Sequence, residues 1–296
     1  LETNYGRDAV LVSEYLAKSW SIKNGQGMLA GKYILEYLKK QGDVYIKKIY
    51  FANDTTAVAL DASAKSAIVK SDKYITLPCG FVMGTGDNGG AIFKNYKNNN
   101  LVNLECGQSE CFGEDKILAK MRISNLTPTK EKLIEYYMGG DYLLFRLVTA
   151  IQLLAEGGFT RSVLAKNLIK YAVESKITSR LAATEIPADE LSLLLHMNIN
   201  AEDVFILNEV SRRIMSKASQ VAATMVAGVC DIAGWGSGVR GVIPVEGTVF
   251  SQAFGFRTGI RKTMKILIPK HQLIFVPGSG TRGIATEAMI RQQLDS

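Results

Sequence analysis

The apolar positions change period along the chain, and the changes mark out its elements. Over Gly31–Lys40, Tyr33, Ile34, Tyr37 and Leu38 fall on one face at helical spacing, which predicts an amphipathic helix. Val44–Ala52 reads as a strand, and Thr55–Ser63 as a short helix capped by Asn53 or Asp54. Three short apolar runs follow, Gly80–Met83, Gly90–Phe93 and Leu101–Leu104. Asp87-Asn88-Gly89 and Asn98-Asn99-Asn100 separate them as turn signals, so hairpins are predicted. From Lys130 the spacing turns helical. One long helix is predicted over Glu131–Ala155, ending at Glu156-Gly157-Gly158, and shorter ones over Arg161–Ala172 and Ala188–His196. A very long helix over Glu202–Cys230 carries Ser216, Ala218, Ala222, Ala223 and Ala227 on one face, the mark of close helix packing. The chain then alternates, with strands at Val242–Glu246 and Leu273–Val276 and helices at Gln252–Leu267 and Ile284–Leu294. Hairpins, then long helices, then β-α-β-α predict an α/β fold whose strands and helices are segregated in blocks. No repeat of solenoid period and no low-complexity tract occurs.

Composition narrows the class. At 296 residues and 47% hydrophobic content the chain can bury a sizeable core, and two lobes are expected. Cys79, Cys106, Cys111 and Cys230 form no CxxC pair, which argues against a disulfide framework or a zinc site and for reduced thiols in a cytoplasmic protein. No apolar run is long enough to span a bilayer. The net charge of +7 is spread in pairs such as Lys39-Lys40 and Lys47-Lys48 rather than gathered with aromatics. That pattern speaks against nucleic acid and for a basic surface that attracts anionic substrates.

Two stretches fit GxGxxG. Gly84-Thr85-Gly86-Asp87-Asn88-Gly89 is followed by strand-like Ala91–Tyr96, so it belongs to a hairpin and not to a dinucleotide fold, which needs a helix there. Gly278-Ser279-Gly280-Thr281-Arg282-Gly283 does lie between a strand and a helix, but no second strand follows. It is either a loop against a nucleotide's phosphate or adenosine or a tight turn with no ligand.

Asp54 ends the first strand, and Gly84-Thr85-Gly86 ends a later one. Open α/β sheets bind ligands at strand ends, and glycine turns hold anions through backbone N–H groups. An aspartate facing such a turn suits a kinase, with a base opposite a phosphate. By local sequence alone, an aspartate in this place is more often a helix N-cap.

In order along the chain come Asn53-Asp54-Thr55, Gly80–Asn88, Asn103-Leu104-Glu105-Cys106-Gly107, and Glu131-Lys132 eight residues before Gly139-Gly140-Asp141-Tyr142-Leu143. Val210-Ser211-Arg212-Arg213, Val245-Glu246-Gly247-Thr248-Val249-Phe250 and Gly278–Gly283 complete the series. In these seven motifs the chain resembles the hexokinase family. Ala17-Lys18-Ser19-Trp20 is further similar to that family's Thr-Lys-Gly-Phe.

The resemblance implies the actin-like (ribonuclease H-like) two-lobed sugar-kinase fold. It also implies transfer of the γ-phosphoryl group of MgATP to the 6-hydroxyl of glucose or a related hexose. Asp54 would be the general base, and Lys18, Asn53, Asn88, Glu105 and Glu131 would bind the sugar. Gly84, Thr85, Gly86 and Asp87 would meet the phosphates, and Gly247, Thr248, Gly278, Ser279 and Gly280 would line the adenosine pocket. Mg²⁺ would arrive with ATP, with no cage of protein ligands. The implied division is 1–56 for the remainder of the small lobe, 57–283 for the large lobe and 284–296 for a C-terminal helix.

There are departures. The family's opening Asp-Leu-Gly-Gly-Thr-Asn phosphate loop has no counterpart here and is expected upstream, which leaves the small lobe incomplete. The adenosine loop has an extra residue, Thr281 or Arg282. Asp87 replaces a small polar residue, and a carboxylate beside polyphosphate is unfavourable unless Mg²⁺ or a lysine offsets it. A sugar sensor or scaffold that keeps the fold without turnover is the alternative.

Overall fold

The computed structural model describes residues 2–3, 9–10, 15–16, 20–21, 29–42, 53–68, 75–76, 79–92, 101–108, 115–123, 133–174, 186–233 and 238–285. The predicted strand Val44–Ala52, Lys18, Cys111 and Glu131 lie outside them. Two two-stranded ladders near the start pair Glu2–Thr3 with Ala9–Val10 and Tyr15–Leu16 with Trp20–Ser21. Helix α1, Ala30–Lys40, bears the predicted apolar stripe, and Tyr33 and Tyr37 on it are exposed.

The centre is one mixed sheet of six strands: β1 (Ile75–Thr76), β2 (Cys79–Met83), β3 (Asp87–Ile92), β4 (Leu101–Asn103), β5 (Arg240–Glu246) and β6 (Gln272–Pro277). Its order is β6-β5-β2-β3-β4, with β1 also beside β5. β2, β3 and β4 form antiparallel hairpins, and β2, β5 and β6 run parallel. The strand blocks at the two ends of the chain therefore merge into one sheet. The GxGxxG stretch at Gly84 is the hairpin the sequence predicts, with its turn at 84–86.

Helix α2 (Asp54–Ile68) runs longer than predicted and packs directly on the sheet. Its backbone comes so close that a Cβ on Gly80 would lie 2.6 Å from Ala59 N, and one on Gly90 would lie 3.0 Å from the Thr55 carbonyl. Further helices are α3 (Lys116–Ile123), α4 (Leu133–Met138), α5 (Gly140–Glu156), α6 (Ser162–Glu174), α7 (Ala188–Leu195), α8 (Ala201–Ile232), α9 (Thr248–Gln252) and α10 (Phe256–Leu267), and residues 280–285 are helical as well, ahead of the predicted start at Ile284. The predicted helix Glu131–Ala155 breaks at Gly139 into α4 and α5; of the predicted Gln252–Leu267, α10 forms from Phe256 onward, while α9 arises before it over residues where, Gln252 apart, no helix is predicted. α3 falls where no element is predicted.

The 32-residue α8 is the axis of the helical layer. A capping box starts it: Asp203 N–H donates to Asn200 Oδ1 (2.8 Å) and Asn200 N–H to Asp203 Oδ2 (3.1 Å). Arg161 also donates to the buried Asp203 carboxylate. Ala218, Ala222 and Ala223 are fully buried, Ala227 is half-buried and Ser216 is exposed. α10 packs closest of all, because Gly259 leaves its Cβ space to the Ser219 hydroxyl. Phe256, Ile260 and Met264 of α10 are buried there, each contributing about 1.5–3 kcal/mol. Arg146 of α5 is also buried, over the Tyr137 ring (4.5 Å to its centre) and on Asp115 Oδ2 (2.7 Å). No helix among the described residues is long and apolar enough to cross a membrane.

Candidate active site

β2, β5 and β6 run parallel and end side by side, at Gly84, Gly247 and Gly278. β3 begins at that same edge with Asp87 and Asn88, and β4 ends there with Asn103 and Glu105. This carboxyl edge is where open α/β sheets bind ligands.

At the turn, Gly84 N–H donates to the Gly86 carbonyl (3.0 Å), and Gly140 N–H docks the start of α5 on the Gly84 carbonyl (2.7 Å). The close fit explains the glycines facing it. A Cβ on Gly139 would lie 3.1 Å from the Thr85 carbonyl, and one on Gly140 would lie 2.9 Å from that of Gly84. Gly247 has φ 130°, and a Cβ there would run into the Met83 carbonyl. A Cβ on Gly84 would in turn stand 3.6 Å from the Gly247 Cα and 3.9 Å from the Thr248 N. Thr85 and Thr248 are exposed.

A polar relay flanks the turn. Asn88 Nδ2 donates to Asn103 Oδ1 (2.7 Å), and Asn103 Nδ2 donates to Glu105 Oε1 (2.5 Å). Asn88 Oδ1 accepts from Gly89 N–H (2.7 Å) and Cys106 N–H (3.1 Å), which fixes its amide orientation. Glu105 is exposed at φ 47°, a left-handed backbone uncommon outside glycine, and this conformation marks a constrained position.

Glu135 of α4 joins this group. Its Oε1 lies 2.5 Å from where a Cβ on Gly86 would stand, and its Cβ is 3.7 Å from that point on Gly107. Glu131, the sequence candidate for a helix-borne acid, lies outside the described residues, and sequence reasoning passed over Glu135. The signal was available: Gly139-Gly140 ends a helical turn, and the acid one turn before it is Glu135. Asp87, expected beside phosphate, is buried, with Oδ2 3.2 Å from the Cβ point of Gly139 at the start of α5. Its charge thus sits at a helix N-terminus, a favourable place for an anion.

Asp54 opens α2 and is exposed. Its Oδ1 accepts from Thr55 N–H (2.7 Å) and Thr55 Oγ1 (3.1 Å), while Asn53 Oδ1 also accepts from Thr55 N–H (2.9 Å). Thr56 Oγ1 donates to the Asn53 carbonyl (2.8 Å). The N-cap geometry and a solvent-facing carboxylate therefore coexist here. The glycine loop lies alongside: the Cβ point of Gly280 is 3.7 Å from the Asp54 carbonyl and 3.3 Å from Glu246 Oε2.

Chain comparisons bear on this edge. A family model described as hexokinase matches residues 78–289. Among solved structures the chain is similar to a hexokinase, at 18% identity and TM-score 0.66 over 95% of this chain and 64% of that one. It is also similar to a hexokinase from Schistosoma mansoni complexed with glucose, at 19% identity and TM-score 0.65 over 94% of this chain and 66% of that one. The chain thus spans a little under two thirds of the length of these relatives. The mixed sheet and its helices are their α/β fold, the actin-like sugar-kinase fold. No curated protein matches.

Proposed function

The chain belongs to the hexokinase family, and from that premise we propose that it transfers the γ-phosphoryl group of MgATP to the 6-hydroxyl of glucose or a related hexose. The observation that carries this reading is the shared edge: Asn88, Glu105, the turn at Thr85 and the loop at Gly278 all stand at one end of one sheet. Glu135 reaches the same turn, and Asp54 lies beside the same loop.

Asp54 is the proposed base. It is exposed at a helix start and accepts the hydroxyl proton as the oxygen attacks phosphorus. Asn53, Asn88, Glu105 and Glu135 supply the planar amides and carboxylates that sort sugar hydroxyls. Glu131 and Lys18, which the resemblance implies, keep their proposed sugar contacts beside Glu135. Thr85 and Gly86 face the phosphates, while Gly247, Thr248 and Gly278–Gly280 present a wall of glycines and small hydroxyl residues to the adenosine. The residues fit a nucleotide: Thr85 and Thr248 are exposed beside the glycine turn, where hydroxyls and backbone N–H groups can meet an anion. When bound with ATP, Mg²⁺ neutralises charge on the transferred group. The chain's own work is to orient the hydroxyl, receive its proton and exclude water as the site closes.

The test is ATP-dependent phosphorylation of glucose, mannose and fructose by wild type and Asp54→Ala. Turnover should fall about 10²–10⁴-fold in the variant with sugar binding largely kept. Sugar binding without turnover in wild type would convert the reading to a sensor, and absence of sugar binding would refute the site.

A further inference from the structure

Arg282 belongs to the stretch that makes the glycine loop one residue longer, and its contacts give that lengthening a purpose. We propose that Asp61 and Arg282 form a positioning pair that fixes the Gly278–Gly283 loop, the candidate adenosine wall, on the helix that carries Asp54; this rests on the hexose-kinase reading above.

Asp61 follows Asp54 by about two helical turns on α2, which returns it to the same face. Its carboxylate is fully buried. Ser279 N–H donates to its Oδ2 (3.0 Å), Arg282 Nε donates to its Oδ1 (2.8 Å) and Arg282 Nη2 to its Oδ2 (3.0 Å). Guanidinium thus meets carboxylate with both oxygens engaged, the arrangement of greatest geometric specificity. A buried carboxylate stripped of such partners is costly, so these contacts are strongly constrained.

The loop backbone lies along the same helix face. A Cβ on Gly283 would run into the Ala57 carbonyl, one on Gly280 would lie 3.6 Å from Ala57 Cβ, and one on Gly278 would lie 2.8 Å from Val58 Cγ1. Within the loop, Arg282 N–H donates to Ser279 Oγ (3.2 Å) and Gly283 N–H to the Ser279 carbonyl (3.1 Å). Glu246 Oε2 holds Gly280 N–H (2.6 Å).

Two consequences follow. The N–H donors of Ser279 and Gly280 are already committed to carboxylates, so the loop presents a shaped wall and leaves the phosphates to the turn at Thr85. The wall and the proposed base are also held on one helix, so a slip of the loop would displace the phosphoryl group relative to Asp54. Displacements of that kind are heavily penalised in transfer reactions.

The experiment compares the whole chain as wild type, Asp61→Asn, Arg282→Lys and Arg282→Ala, by amide hydrogen exchange and by titration with MgATP and with glucose. In Asp61→Asn, exchange over 278–283 should quicken about tenfold or more. MgATP affinity should fall about tenfold while glucose affinity stays within about twofold, a split that general loss of structure would not give. Arg282→Lys, which keeps the charge but loses the fork, should fall between wild type and Arg282→Ala. If Asp61→Asn does not fold, Arg282→Ala carries the comparison, since its side chain is 58% exposed. Unchanged loop exchange and MgATP affinity in the variants, with an active wild type, would overturn the pair and leave the kinase reading standing. A wild type that binds glucose but not MgATP would overturn the kinase reading, and the pair's role with it.

Discussion

Glu135 shows what a single residue owes to its surroundings. The resemblance implied Glu131, which lies outside the described residues, and the break at Gly139 brings Glu135 against Gly86 and Gly107. Replacing it with Gln keeps the shape and removes the charge. Glucose affinity should then drop about tenfold to a hundredfold, the worth of a hydrogen bond to a charged group, as read by calorimetric titration. Undiminished affinity would take Glu135 out of the sugar site. Asn53, Asp54, Asn88 and Glu105 stood out in the sequence because each ends or begins an element next to a turn signal. The role of Asp61 was not legible, since an aspartate inside a helix carries no mark of the loop that will cover it. Cys79 and Cys230 are free thiols buried in the core. Burial and the neighbouring Cys230 raise the Cys79 thiol well above its ordinary value, and burial pushes Cys230 up to about 12. Both are neutral thiols at physiological pH and not nucleophiles.

At the scale of elements, periodicity located most helices and strands and missed the breaks. The apolar pattern runs unbroken across Gly139, so one helix was expected where α4 and α5 stand. The break is imposed by the carbonyls of Gly84 and Thr85, which press against Gly139 and Gly140 and lie more than fifty residues away in sequence. Gly247 makes the same point for the start of α9. Its φ of 130° and the Met83 carbonyl in its Cβ space both exclude a side chain. Gly247→Ala should therefore destabilise the fold by roughly 2–4 kcal/mol in urea unfolding, from strain and overlap together. A loss below about 0.5 kcal/mol, the range of ordinary surface changes, would show that the β5–α9 turn relaxes freely.

For the whole molecule, Asp115 and Arg146 tie α3 to α5. Burial raises the Asp115 carboxyl, but the Arg146 guanidinium and hydrogen bonds from Arg146, Leu118 N–H and Tyr137 outweigh it and hold the group below its ordinary value. A depressed carboxyl contributes stability above its unfolded value of about 3.9 and loses it as pH falls through the folded value. Asp115→Asn should thus be less stable than wild type near pH 7, with the gap narrowing below about pH 4, as measured by urea midpoints across pH. A gap that stays constant with pH would show that the pair contributes by packing alone. The sequence by itself determined the period of each element, the glycine turns and the order of motifs, because these depend on neighbours a few residues apart. Only the tertiary structure decided that strands far apart in the chain share one sheet, that Glu135 meets the turn, and that Arg282 closes on Asp61. Each of those joins residues far apart in the chain, and such contacts are set by backbone approach and by the need to pair buried charge, which no local pattern records.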